Sequence, residues 1–189
     1  MKPMNPMKRM AFWLVALVLS ATLLSGCGYN QIQTMDEEID NKWAQVQNQL
    51  QRRADLIPNL VKVVKSYAAH EQEVFEAVAD ARARMSGAIQ SGEPGQIAQA
   101  EGSFNSALGR LLAVAENYPN LKADQQYIRL MDELSGTENR IAVARMDYND
   151  TVRNYNSYIR QFPQNLTANV IGAEKREYYE PPAETQVAP

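Results

Sequence analysis

The sequence predicts an all-α fold, an antiparallel four-helix bundle with long coiled-coil-like helices. Three observations point there. Apolar residues recur in alternating steps of three and four, close to the 3.5-residue coiled-coil period. Glycine and proline are scarce inside the periodic stretches and gather between them. No stretch alternates apolar and polar residues between turn signals, as a half-buried strand would. The 189 residues amount to about one domain.

A segment of a different kind precedes the bundle. Met1 to Arg9 holds Lys2, Lys8 and Arg9 and no acid, and Met10 to Leu24 carries no charge. As a helix that run is about 22 Å long, short of the ~30 Å hydrocarbon core of a bilayer. A basic stretch and a short apolar run read as a secretory signal over residues 1–26. Leu24-Ser25-Gly26-Cys27 follows, and it resembles the lipobox of bacterial lipoproteins. There the cysteine is lipidated and becomes the first mature residue. The chain's one cysteine stands at that place. Two or more acyl chains hold a protein stably at a membrane, whereas one does so marginally. An uncleaved N-terminal anchor is the alternative. With Gly28 after the cysteine, resemblance to Gram-negative lipoproteins implies the outer membrane, facing the periplasm, if the source is Gram-negative.

Four helices are predicted near 30–54, 57–90, 95–117 and 123–162. The breaks between them are Asp55 to Pro58, Gly92 to Gly95 and Pro119 to Asp124, and Phe162-Pro163 ends the last. Asp55 can cap the second helix, with Pro58 in its first turn where no donor is needed. One kinked helix through Pro58 is the alternative. Seam positions in the first helix are Ile32, Met35, Ile39, Trp43, Val46 and Leu50. The second has Ile57, Leu60, Val64, Tyr67, Glu71, Val74, Val78, Ala81, Met85 and Ala88. The third has Ile97, Glu101, Phe104, Leu108, Leu111, Ala115 and Tyr118. The fourth has Tyr127, Met131, Leu134, Glu138, Ile141, Arg145, Tyr148, Val152, Tyr155, Ile159 and Phe162. Four such seams can bury one another with short loops. This bundle occupies 27–165. Residues 166–180 are expected to pack back on it through Leu166, Val170 and Ile171, without another full helix. Residues 181–189, opening with Pro181-Pro182, read as a disordered tail.

The seam charges are the informative exceptions. Counted from the loops at about 1.5 Å per residue, Glu71, Glu101 and Glu138 fall within one turn of a common level. Arg82 and Arg145 lie one to two turns further down. A polar core layer is expected, in which Arg145 or Arg82 pairs with Glu71 or Glu138 and fixes the register. A ferritin-like metal site would need Glu-x-x-His motifs on two helices. The chain has none, and its one histidine, His70, precedes Glu71. No metal or other cofactor is therefore expected.

Composition and failed motifs narrow the function. Hydrophobic residues make up 45%, too many for general disorder. One cysteine makes no internal disulfide and no structural zinc site. With 19 Lys+Arg against 22 Asp+Glu, no basic excess favours nucleic acid. His70-Glu71-Gln72-Glu73-Val74 opens like a zincin helix but has valine where the second histidine belongs. There is no P-loop and no Gly-x-Ser-x-Gly elbow. The cluster Arg52, Arg53, Lys62 and Lys65 reads as a solvated face.

Gln51-Arg52-Arg53-Ala54-Asp55-Leu56-Ile57-Pro58-Asn59-Leu60-Val61 resembles the signature segment of the bacterial LemA family. Asn41 to Val46, Tyr67 to Glu71, Thr137 to Arg145, Tyr148-Asn149, and the ending from Tyr155-Asn156 to Tyr178-Tyr179 are similar to it as well. Two departures are the lipobox, where many members look anchored by an uncleaved helix, and Ala173, where the family usually has an aromatic. The resemblance implies a membrane-anchored helical bundle outside the cytoplasm, with no catalytic residue to carry over. The expectation is a non-catalytic envelope lipoprotein, anchored at Cys27 and acting on protein partners as a scaffold or accessory module. Alternatives are a carrier of an apolar ligand within the bundle and a carboxylate-bridged metal oxidoreductase at Glu71, Glu101 and Glu138.

Overall fold

The structure, a computed structural model, describes residues 6–180; before Gly28 it describes side chains only at Met10, Trp13 and Leu14. The signal segment 1–26, the Cys27 side chain and the tail 181–189 fall partly or wholly outside the described residues. Six helices and no strand occur among the described residues, so the fold is all-α. They are α1 (Pro6–Tyr67), α2 (Gln72–Ser91), α3 (Pro94–Glu116), α4 (Pro119–Lys122), α5 (Gln125–Tyr158) and α6 (Gln164–Ile171). Two exceed the predicted four. α4 is a single turn inside the expected loop, and α6 is a short helix in the C-terminal segment. No helix among the described residues is long and apolar enough to cross a membrane.

The first break is displaced from its predicted position. α1 passes through Pro58 without interruption and ends at Tyr67. Proline in a helix interior removes one hydrogen bond and crowds the carbonyl four residues back, at about 3 kcal/mol. Here that carbonyl is Ala54's, and Arg82 Nε donates to it at 2.9 Å. A long-range side chain thus replaces the missing donor, and the helix continues. The turn comes at Ala68–Glu71 instead, where the Glu71 N–H donates to the Ala68 carbonyl at 3.2 Å. The seam of α2 restarts there: Phe75, Val78, Ala81 and Met85 are buried, while Val74 is half-buried and Tyr67 exposed.

The chain divides into two units, Met1–Asp40 with Thr151–Arg176, and Asn41–Asp150 with the residues from Glu177. In the second unit, α2 and α3 form a hairpin across Gly92 and Glu93. Gly92 holds φ +78°, a left-handed cap conformation that favours glycine. Trp43 Nε1 donates to the Gly92 carbonyl at 2.8 Å, and Gln47 Nε2 to the Ile89 carbonyl at 3.2 Å. α1 thereby satisfies the carbonyl end of α2. Asp124 caps α5, its Oδ1 accepting from the Gln126 and Tyr127 N–H groups at 2.7 and 3.1 Å.

In the first unit, Ile32, Ile39, Val152, Tyr155, Ile159 and Ala168 are buried. α6 approaches α1 closely: a Cβ placed on Gly28 would lie 3.3 Å from Thr167 Oγ1. The segment following α6 forms neither helix nor strand. Asn156 holds it from α5, donating to the Arg176 carbonyl and accepting from the Arg176 N–H, both at 2.9 Å. The Arg176 guanidinium reaches Asp36 at 2.8 Å and Asp40 at 3.1 Å. Two predicted contacts are corrected. Leu166 and Val170 do not pack back; they are exposed, because an eight-residue helix that buries Ala168 turns them to the other side. Phe162, assigned to the α5 seam, lies beyond the helix end and is 79% exposed.

Candidate functional site

Charge collects at one level of the second unit, where α1, α3 and α5 meet. Glu101 of α3 is fully buried. It accepts from Arg145 of α5, and its second oxygen accepts from the Tyr179 hydroxyl at 2.7 Å. Arg53 of α1, only 1% exposed, lies 3.4 Å from the same carboxylate. That guanidinium also grips Glu138 of α5 with two bonds, 3.0 and 2.7 Å, and donates to Asn105. It stacks over the Phe104 ring at 4.9 Å, and Arg145 lies 5.4 Å from the Tyr179 ring centroid. Two cations meet two anions, which is how buried charge is tolerated.

The sequence-predicted residues divide accordingly. Glu101, Glu138 and Arg145 come together. Glu71 does not: it occupies the N-cap position of α2, half-buried. Arg82 does not either, being engaged by the Ala54 carbonyl and, at 3.5 Å, by Asp55. The expected pairing of Arg145 or Arg82 with Glu71 or Glu138 is replaced by Arg145 with Glu101 and Arg53 with Glu138. Arg53, which the sequence places on a solvated face, is buried. The signal existed: with α1 unbroken, Val46, Leu50, Arg53, Ile57 and Leu60 continue the steps of four and three. Cys27 is the remaining predicted site residue, and its side chain lies outside the described residues.

Tyr179 closes the layer from the C-terminal segment. Its N–H donates to Asn149 Oδ1 at 2.9 Å, and its carbonyl accepts from Asn149 Nδ2 at 3.0 Å. Tyr148 donates its hydroxyl to the Glu177 carbonyl at 2.9 Å. The Trp43 ring sits 5.1 Å from the rings of both Tyr148 and Tyr179. Burial pushes the Tyr179 phenol well above its ordinary pKa, and the Glu101 carboxylate pushes the same way against the two arginines. The phenol therefore stays protonated and serves as a hydrogen-bond donor.

Among the described residues, no group of three or more His, Cys, Asp or Glu could hold a metal ion. Arg53 lies between Glu101 and Glu138, so a guanidinium already occupies the place a bridging cation would take. Two hollows of about 490 and 410 Å³ open on the surface. The larger is lined chiefly by amide and charged side chains such as Gln45, Asn48 and Asn139, and the smaller by Asp36, Lys175 and Arg176. Neither is an enclosed apolar tunnel along the seams.

The profile of the LemA family matches residues 42–189. Magnetosome protein MamQ 2 of Paramagnetospirillum magneticum is 32% identical over 186 residues, covering 85% of this chain and 66% of the relative. Magnetosome protein MamQ of Magnetospirillum gryphiswaldense is 29% identical over 177 residues, covering 80% and 64%. Protein LemA of Metamycoplasma hominis is 25% identical over 143 residues, covering 75% and 64%. The chain spans just under two thirds of the length of the curated relatives it matches. On the family match, which covers most of its length, the chain belongs to the LemA family.

Proposed function

We propose that this LemA-family chain is a membrane-tethered, non-catalytic scaffold of the cell envelope. Lipidated Cys27 holds it at a membrane on the extracytoplasmic side, the outer membrane if the source is Gram-negative. Its helical body binds protein partners. The observation that carries the non-catalytic part is the charged layer. Glu101, Arg53, Arg145 and Tyr179 engage one another beneath the surface, so these groups serve packing and register rather than a substrate. The tether is supported by Leu24-Ser25-Gly26-Cys27 at the end of a short uncharged run. The name magnetosome protein, borne by relatives, names a structure and not a reaction; carried across, it favours an organising role.

Two measurements test this. Mass spectrometry of the purified chain against Cys27→Ala should show acyl mass on the first and not on the second. Crosslinking in cells should recover reproducible protein partners. An unmodified Cys27 contradicts the tether, and the absence of partners contradicts the scaffold.

A further inference from the structure

α6 carries an apolar stripe that the described residues leave uncovered. Leu166 and Val170 are 57% and 86% exposed and lie four residues apart, one turn along the same side of the helix. Phe162, a further four residues back at the entry to α6, is 79% exposed. The helix contains no charged residue: its sequence is Gln164-Asn165-Leu166-Thr167-Ala168-Asn169-Val170-Ile171. Its other side buries Ala168 and abuts α1 through Thr167 against Gly28. Gly28 is the residue after Cys27.

We infer that α6 lies in the membrane–water interface, with Phe162, Leu166 and Val170 inserted among the lipid headgroups beside the anchor. Three facts select a lipid surface as the occupant. The stripe is apolar on a short helix with no charge of its own, and it would insert by apolar burial alone. It is built on the helix that packs one residue from the acylation point, so whatever holds Cys27 at a bilayer brings α6 to the same bilayer. Isolated exposed apolar residues are ordinary, but Leu166 and Val170 share one side of α6, and Phe162 is exposed just before its cap. Beside the acyl chains α6 gives unit one a second contact, which fixes its orientation as well as its height above the membrane. The proposal deepens the tethered reading and rests on it for the membrane itself.

The test uses the full lipidated chain in vesicles of neutral lipid. Its only native cysteine has its thiol consumed by lipid. A cysteine introduced by Val170→Cys can then carry an environment-sensitive fluorophore, with Ala83→Cys at an exposed position of α2 as the control. Both sites are exposed, so neither change removes packing. The expected result is blue-shifted emission at position 170 that nitroxide-labelled lipids quench, added salt leaving it unchanged, and water-like emission at position 83. Adding Phe162→Ser and Leu166→Ser should return the emission at 170 to its water-like value. Water-like emission at 170 in an acylated chain overturns the proposal and leaves the tether standing. Missing acyl mass, with position 170 still quenched by lipid, overturns the tether and leaves α6 at the membrane. A probe in cell envelopes that is shielded from aqueous iodide yet insensitive to nitroxide lipids overturns the proposal by assigning the stripe to a protein partner.

Discussion

Arg82 Nε donates at 2.9 Å to the carbonyl of Ala54, the one carbonyl that Pro58 deprives of its helical donor. Arg82 and Pro58 form a functional pair although 24 positions separate them in sequence. Arg82→Met should leave that carbonyl without a partner and cost about 1–3 kcal/mol. In a Pro58→Ala background the restored N–H can take the carbonyl, and the same change should cost much less. Urea unfolding of the four chains gives the coupling directly. Equal losses in both backgrounds would dissociate Arg82 from the proline. The Arg82–Asp55 contact is exposed and contributes little to either.

The charged layer is expected to be uneven in its sensitivity. Arg53→Met removes the cation shared by Glu101 and Glu138 from a fully buried position and should cost about 3–5 kcal/mol. Glu138→Gln touches the half-exposed end, where the side chain is 51% accessible, and should cost about 1 kcal/mol or less. Denaturant titration of both variants distinguishes them. Similar losses would mean that burial does not govern the layer.

Tyr179→Phe removes only a hydroxyl and should cost about 1.5–3 kcal/mol, since a buried bond to a carboxylate is lost. The raised phenol pKa also has a sign. Stability from the neutral phenol is complete below the unfolded value near 10 and lost as pH rises toward the folded value. Thermal unfolding above about pH 10 should therefore fall more steeply in the native chain than in Tyr179→Phe.

Acid acts at the other end of α5. The Tyr67 hydroxyl donating to Asp124, and then the N–H groups of Tyr127 and Gln126, hold the Asp124 carboxyl below its ordinary value. A depressed carboxyl contributes stability that is complete above the unfolded pKa of about 3.9 and lost as pH falls through the folded value. The native chain's advantage over Asp124→Asn should accordingly shrink between about pH 4 and pH 2. Melting curves across that range check it, and a constant difference would count against the cap.

The helical class was legible because burial writes a period into the sequence: Ile39, Val46, Leu50, Ile57, Leu60 and Val64 stand at seam spacing and are all buried. Pro58 was misleading because local rules describe a proline without its neighbours, and Arg82 rescues it from another helix. Cutting the seam at Leu50 hid Arg53 among surface charges. Extending the helix unbroken past Tyr67 misplaced Glu71, since the chain turns at Ala68 to Glu71 and leaves it at the N-cap of α2, while Val78, Ala81 and Met85 keep their seam places. Tyr179 carried no periodic signal at all, because it sits in a segment without helix or strand, held by the side chains of Asn149, Tyr148 and Glu101. Leu166 and Val170 looked like core because composition alone does not say whether an apolar side chain is covered.

The most direct test of a structural charged layer in a binding scaffold is Glu101→Gln, read for stability and for partner crosslinks in the same cells. It should lower unfolding free energy by about 3–5 kcal/mol, while the molecules that remain folded crosslink as the native chain does. Full stability with the crosslinks gone would make Glu101 part of a working site, and would contradict the account.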